Sequence, residues 1–214
     1  MNIRCLTLGM FNVNVFVIED PDTGDSALID TSESGQELLA ALDSLQPQPR
    51  LTKVLLTHGH IDHAGALVDL QARYPELPTY LPRLELPLFK ALPEQGDWFS
   101  MPQLNRPCGR IDHYLDDGDT VSLGTLTLSF LSTPGHTPGQ GCYYDQDDII
   151  VGDTLFAGSV GRTDFPGSDP ALAKKSLTRL LALPGHLRVH SGHGPVTTLA
   201  HELSTNPFLD FLRS

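Results

Sequence analysis

A mixed α/β fold is predicted by three observations. Short β-branched apolar runs alternate with stretches of helical periodicity, the opening runs are joined by turn residues as an antiparallel start would be, and several runs end in His or Asp set among Gly and Pro. The chain has 214 residues, 40% hydrophobic and 19% charged, which is enough for a real core, and 1–214 is read as a single domain.

Taken in order, Cys5 to Leu8, Val13 to Ile18 and Ala27 to Ile29 read as strands, the last two joined through Pro21, Gly24 and Asp25. Ser32 to Ser34 offer capping hydroxyls ahead of Leu38, Leu39, Ala41, Leu42 and Leu45, which share one helical face, and Pro47 and Pro49 stop that helix. Lys53 to Leu56 is a short buried strand running into Thr57-His58-Gly59-His60-Ile61-Asp62-His63, and Ala64 to Tyr74 follows with helical spacing. Seven of the 17 prolines fall between Pro75 and Pro107, with Phe89, Trp98, Phe99 and Met101 among them. So many prolines forbid one regular element, yet the aromatics need cover, so short helical pieces packing as a cap over about 75–112 are expected. Thr120 to Leu131 reads as a hairpin around Gly124, Tyr143-Tyr144 and Ile149 to Val151 as strands, Ala171 to Leu183 as an amphipathic helix, and Leu187 to His190 as a last strand.

The charge balance, 14 Lys+Arg against 26 Asp+Glu, gives −12, and no basic cluster interrupts it. Gripping nucleic acid requires a basic stripe that displaces counterions, so a nucleic-acid partner is not expected. No window is apolar enough to span a bilayer, and Met1 to Met10 lacks the pattern of a secretory leader. Cys5, Cys108 and Cys142 are odd in number and widely spaced, which suits free thiols in a reducing compartment. The expectation is a cytoplasmic protein with a small-molecule substrate and no membrane partner.

Chemistry concentrates in His58-x-His60-x-Asp62-His63. A chance occurrence of that pattern is expected on the order of once in a thousand chains of this composition. Scattered surface histidines explain a single His, but packed ligand-type side chains are idle or mutually repulsive without a cation to organise them. Two further histidines occupy matching contexts, Pro134-Gly135-His136-Thr137-Pro138-Gly139 and Ser191-Gly192-His193-Gly194-Pro195, and Asp153 follows a third apolar strand in Val151-Gly152-Asp153-Thr154. His113, His186, His190 and His201 have no such setting and read as surface or packing residues, and Cys142, within Gly-Cys-Tyr-Tyr, as a buried inert thiol.

In this order, His58-x-His60-x-Asp62-His63, His136, Asp153 and His193 resemble the metallo-β-lactamase superfamily over essentially the whole chain. The resemblance implies an αββα sandwich of two facing mixed sheets with outer helices. It also implies two divalent ions, one held by His58, His60 and His136, the other by Asp62, His63 and His193, with Asp153 bridging. Nitrogen and oxygen donors without a thiolate suit zinc first and tolerate iron or manganese. Asp30, ending the third strand, matches the family's early aspartate and would orient a ligand from behind, although a helix-capping role is an equal reading of the residue alone.

The stretch Gly152-Asp153-Thr154-Leu155-Phe156-Ala157-Gly158-Ser159-Val160-Gly161-Arg162-Thr163-Asp164-Phe165-Pro166-Gly167 resembles the compact bacterial type of glyoxalase II, as do His193-Gly194-Pro195-x-Thr197-Thr198 and Glu202-x-x-x-Asn206-Pro207-Phe208. That likeness implies a hydroxyacylglutathione hydrolase of methylglyoxal detoxification, cleaving S-D-lactoylglutathione to D-lactate and glutathione by attack of a metal-bridging hydroxide, with Asp62 orienting it or accepting its proton. Arg162 is the substrate-binding candidate, with a structural salt bridge as the other reading. True β-lactamases commonly carry Cys where Asp153 stands, which disfavours antibiotic hydrolysis. Two departures touch selectivity. Larger glyoxalase II proteins add a helical C-terminal domain that holds glutathione and place a Tyr soon after the last His, whereas Gly194-Pro195 follow His193 here. The rival resemblance is to persulfide dioxygenases, with one iron on His58, His136 and Asp153; a lactonase-type hydrolase is a further alternative.

Overall fold

The computed structural model describes residues 1–213 and divides into two compact units, Met1–Leu115 with Ser122–Thr127, and Asp116–Val121 with the chain from Leu128 onward.

The first unit opens with β1 (Asn2–Leu8), β2 (Val13–Glu19) and β3 (Asp25–Ile29), then α1 (Gly35–Ser44), β4 (Arg50–Leu55), α2 (Ile61–Ala64) and α3 (Leu67–Arg73). It continues with β5 (Thr79–Pro82), α4 (Leu86–Lys90), α5 (Leu92–Trp98) and β6 (His113–Leu115). The sheet order is β1-β2-β3-β4-β5-β6, antiparallel as far as β3 and parallel beyond it. The antiparallel start is as the turn residues predict. Ser34 caps α1 by accepting from Glu37 N, and Leu38 and Leu42 are buried from its apolar face. These leucines join Val15, Val17, Leu28, Val54 and Leu67 in one core.

The expected helix over 64–74 is two helices, with Gly65 and Ala66 between α2 and α3. The Pro-rich stretch contains the expected short helices, and also a short strand, β5, which was not expected there. Pro78 precedes β5 and Pro82 ends it, so neither removes a donor from inside the strand, and the Pro78 carbonyl accepts from Val54 N at 2.9 Å. Phe89 from α4 and Leu92 from α5 are buried in the same core.

The second unit holds β7 (Thr120–Leu123), β8 (Leu126–Ser132), β9 (Gly141–Tyr144), β10 (Asp148–Gly152), β11 (Leu155–Phe156), β12 (Ser159–Val160), α6 (Pro170–Leu180), β13 (Arg188–Ser191), β14 (Thr197–Thr198) and α7 (Leu199–Thr205). Its main sheet runs β14-β13-β10-β9-β8-β7, with β10 and β13 parallel, so both large sheets are mixed. Asp169 caps α6 by accepting from Ala171 and Leu172 N, with Pro170 in the first turn. Leu177 and Leu180 pack with Ile149, Val151, Val189 and Leu209. The strand at 187–190 is not the last: β14 returns antiparallel beside it. Among the described residues no helix is long and apolar enough to cross a membrane.

Candidate metal centre

β4 delivers the first group of candidate ligands. Its buried end, Val54-Leu55-Leu56, carries the chain into Thr57 and the turn His58-Gly59-His60, and α2 begins at Ile61, so Asp62 and His63 lie in a helix's first turn. His58 and His63 are fully buried, His60 nearly so, and Asp62 half-buried. The His58 ring lies 4.9 Å from that of His60 and 4.1 Å from that of His63, centroid to centroid, and His63 Nε2 is 3.6 Å from Asp62 Oδ2.

Behind them sits Asp30, at the end of β3, in a left-handed conformation (φ +62°). Oδ1 accepts from Thr57 N at 2.8 Å, and Oδ2 accepts from Thr57 Oγ1 and from His63 Nδ1, each at 2.8 Å. Thr57 Oγ1 is also 3.0 Å from His58 Nδ1. An ionised carboxylate only accepts, so the Thr57 hydroxyl proton points to Asp30 and His58 Nδ1 must donate to Thr57. Both rings therefore present Nε2 as the basic nitrogen, the tautomer a metal ligand needs. Of the two readings open for Asp30, helix capping is not the one seen, since Ser34 is the cap of α1 and the Asp30 carboxylate bonds Thr57 and His63. Thr57 was not singled out from the sequence, although its place just before the first His is a signal that could have found it.

His136, Asp153 and His193 lie in the second unit. Asp153 Oδ2 lies 3.5 Å from His136 Nε2 and 3.6 Å from His193 Nε2, so one carboxylate oxygen faces both rings. His136 Nδ1 donates to Arg162 O at 2.8 Å, which again leaves Nε2 as the basic nitrogen. Gly161 is obligatory for a steric reason: a Cβ there would lie 1.8 Å from the Asp153 carbonyl oxygen and 3.4 Å from His136 Cβ. Gln140, also missed from the sequence, accepts from Asp153 N at 3.1 Å and donates to Thr154 Oγ1 at 2.7 Å, pinning the turn that carries the carboxylate.

Arg162 forms a bidentate pair with Asp164 (2.6 and 2.7 Å) and lies over the Phe165 ring at 4.2 Å, exposed to solvent. That pairing raises the guanidinium pKa and lowers that of Asp164. Cys142 is fully buried, and burial pushes its thiol up to about 11, as an inert core thiol requires. The four remaining histidines have structural surroundings or solvent: His190 Nε2 is 2.8 Å from Asp148, His113 stacks on Tyr80, His186 bonds the Gln146 carbonyl, and His201 is exposed.

The profile of the metallo-beta-lactamase superfamily matches residues 8–193. Hydroxyacylglutathione hydrolase GloC of Haemophilus influenzae is 33% identical, over 98% of this chain and 99% of its own. Among solved structures, TTHA1623 in a di-iron-bound form superposes with a TM-score of 0.85 at 38% identity, covering 96% of this chain and all of that one (100%). BLEG-1 B3 metallo-beta-lactamase gives 0.84 at 31% identity (97% and 99% covered), and ETHE1 from Myxococcus xanthus 0.75 at 27% (97% and 84% covered). The two mixed sheets and their helices match the fold these proteins share.

Proposed function

Because this chain belongs to the metallo-β-lactamase superfamily, we propose that it is a metal-dependent hydrolase acting on a glutathione-type thioester, S-D-lactoylglutathione, to give D-lactate and glutathione. The observation that carries this reading is the donor set. Nitrogen and carboxylate oxygen occur throughout, no thiolate takes part, and Asp153 turns one oxygen toward both His136 and His193. Such donors fit divalent zinc, iron or manganese. His58, His60 and His136 would hold one ion, Asp62, His63 and His193 the other, with Asp153 shared.

When bound, two such ions supply a water acidified to near neutrality and a Lewis acid for the acyl oxygen. The chain's own residues do the rest. Asp62, the most exposed of the first ligand group, orients the attacking water and receives its proton. Asp30 and the Arg162 carbonyl hold the rings of His63 and His136 in the ligating tautomer. The thioester C–S bond breaks with the electron pair on sulfur, and a thiolate whose conjugate acid has a pKa of about 8.5 leaves without prior protonation, so no general acid is required. Arg162 is the cation that would meet a substrate carboxylate, once it leaves Asp164. We place this activity in the cytoplasm, on a small molecule, without nucleic acid or membrane as partner.

The test is metal content by elemental analysis with thioester hydrolysis in the same sample. About two equivalents of zinc or iron per chain, with release of glutathione, is the expected result. The likeness to ETHE1 favours one competitor, a mononuclear-iron persulfide dioxygenase. One iron per chain, no thioester cleavage and oxygen uptake with glutathione persulfide would establish that competitor. Cleavage of a β-lactam or a lactone in preference to the thioester would equally overturn the proposed substrate.

A further inference from the structure

The Pro-rich segment carries two fully buried polar side chains, Glu85 and Gln95. Burying such groups is unfavourable unless they are well bonded, and here their bonds converge on one place. Glu85 Oε2 accepts from Gly59 N at 2.7 Å. Gln95 Oε1 accepts from Ile61 N at 2.8 Å, while its Nε2 donates to Gly59 O at 2.8 Å and to Leu88 O at 2.9 Å. The residue between Gly59 and Ile61 is His60, so peptide groups on both sides of it are held by side chains from another part of the sequence. Ile61 N is one of the donors at the start of α2 that have no partner within the helix, and His60, the N-cap, makes no side-chain capping bond; Gln95 fills that role from α5.

An independent packing observation agrees. A Cβ on Gly59 would lie 2.8 Å from Phe89 N and 3.1 Å from Phe89 Cα, so the backbone of the ligand loop is pressed directly against the backbone of α4.

We propose that Glu85 and Gln95 are positioning residues for the metal ligands His58 and His60: the segment from Glu85 through α5 is a mould that sets the ligand loop before any metal arrives, and metal affinity depends on it. This rests on the dinuclear reading above. A loop already ordered loses less chain freedom on binding, so the mould should appear as tighter metal binding and as backbone protection in the metal-free protein.

The experiment compares Glu85→Met and Gln95→Met, which keep length and remove the bonds, with two controls. Glu85→Gln keeps an acceptor for Gly59 N, and Leu92→Ala trims a buried side chain of α5, the helix of Gln95, while leaving the Glu85 and Gln95 side chains that bond the loop in place. Zinc affinity is read by chelator competition, and amide exchange at Gly59 and Ile61 is read in metal-stripped protein. Both Met variants should bind zinc about 10- to 100-fold more weakly and exchange faster at the amide each one releases. Glu85→Gln should recover most of the affinity, and Leu92→Ala should lower Tm while leaving affinity within about threefold. If a Met variant does not fold, Gln95→Glu, which keeps the acceptor for Ile61 N and loses the donor to Gly59 O, should show the same loss at smaller size. Affinity that simply follows Tm across all variants, or that is unchanged in the Met variants, overturns the proposal. Wild-type protein that takes up no zinc, iron or manganese defeats the dinuclear reading instead, and with it any role of the mould in metal binding; unchanged protection in the variants would then remove the mould as well.

Discussion

The carboxylate of Asp30 meets Nδ1 of His63 at 2.8 Å, with both side chains shut off from solvent. The same carboxylate reaches His58 through the Thr57 hydroxyl, so one side chain orients two of the proposed ligand rings. Asp30→Ala should therefore weaken metal binding by about 10- to 100-fold. Chelator competition measures this, and unchanged affinity would mean that the rings are held by packing alone.

Gly161 tests the proposed ligands of the second unit. Any side chain there collides with the Asp153 carbonyl, so Gly161→Ala must displace the turn that carries the Asp153 carboxylate. We expect Gly161→Ala to bind less than the wild-type complement of metal and to lose at least about tenfold in kcat/KM. Full metal content with normal kinetics would show that the turn tolerates the shift.

Arg162 separates substrate binding from structure. Its partner Asp164 is exposed, and exposed ion pairs contribute little to stability, so Arg162→Ala should leave Tm essentially unchanged. If Arg162 meets a substrate carboxylate, KM rises with kcat maintained. Unchanged KM would leave the residue as a surface anchor on Phe165.

Cys142 should be chemically silent. With its thiol held near 11 and no surface exposed, iodoacetamide at pH 8 should modify Cys5 and Cys108 but spare Cys142 in the folded protein. Cys142→Ala should keep its activity, and loss of activity without loss of folded protein would reopen a catalytic role.

Asp20 should shape the acid limb of stability. Backbone Thr125 N donates to its carboxylate, with help from Asp22 N and the hydroxyls of Thr23 and Thr125, and the pKa falls to about 2 from an ordinary 3.8. A carboxyl depressed in the folded state contributes stability that is complete above its unfolded pKa and is lost as pH falls toward the folded value. Tm measured from pH 5 down to pH 2 should therefore fall less steeply in Asp20→Asn than in the wild type, from a lower starting point. Parallel curves would show that other carboxylates dominate this range.

The sequence by itself determined the chemistry of the site. Donor types, their order and their placement at strand ends are short-range features: a strand running into His58-x-His60-x-Asp62-His63, and Gly and Pro around His136 and His193, are legible because each depends only on neighbouring residues. Tertiary structure alone decided what holds those donors. Gln95 has no local mark of importance, because its meaning lies in bonds to Gly59 and Ile61, more than thirty residues away. The same holds for β5, which is a strand because it pairs with β4 and β6 while its prolines fall at its ends, and for Gly161, which must be glycine because the Asp153 carbonyl passes above it. Periodicity and motif spacing report which faces a segment buries and which groups it can offer. Which distant backbone a buried polar side chain will satisfy is set only when the chain closes on itself, since that choice is made by packing.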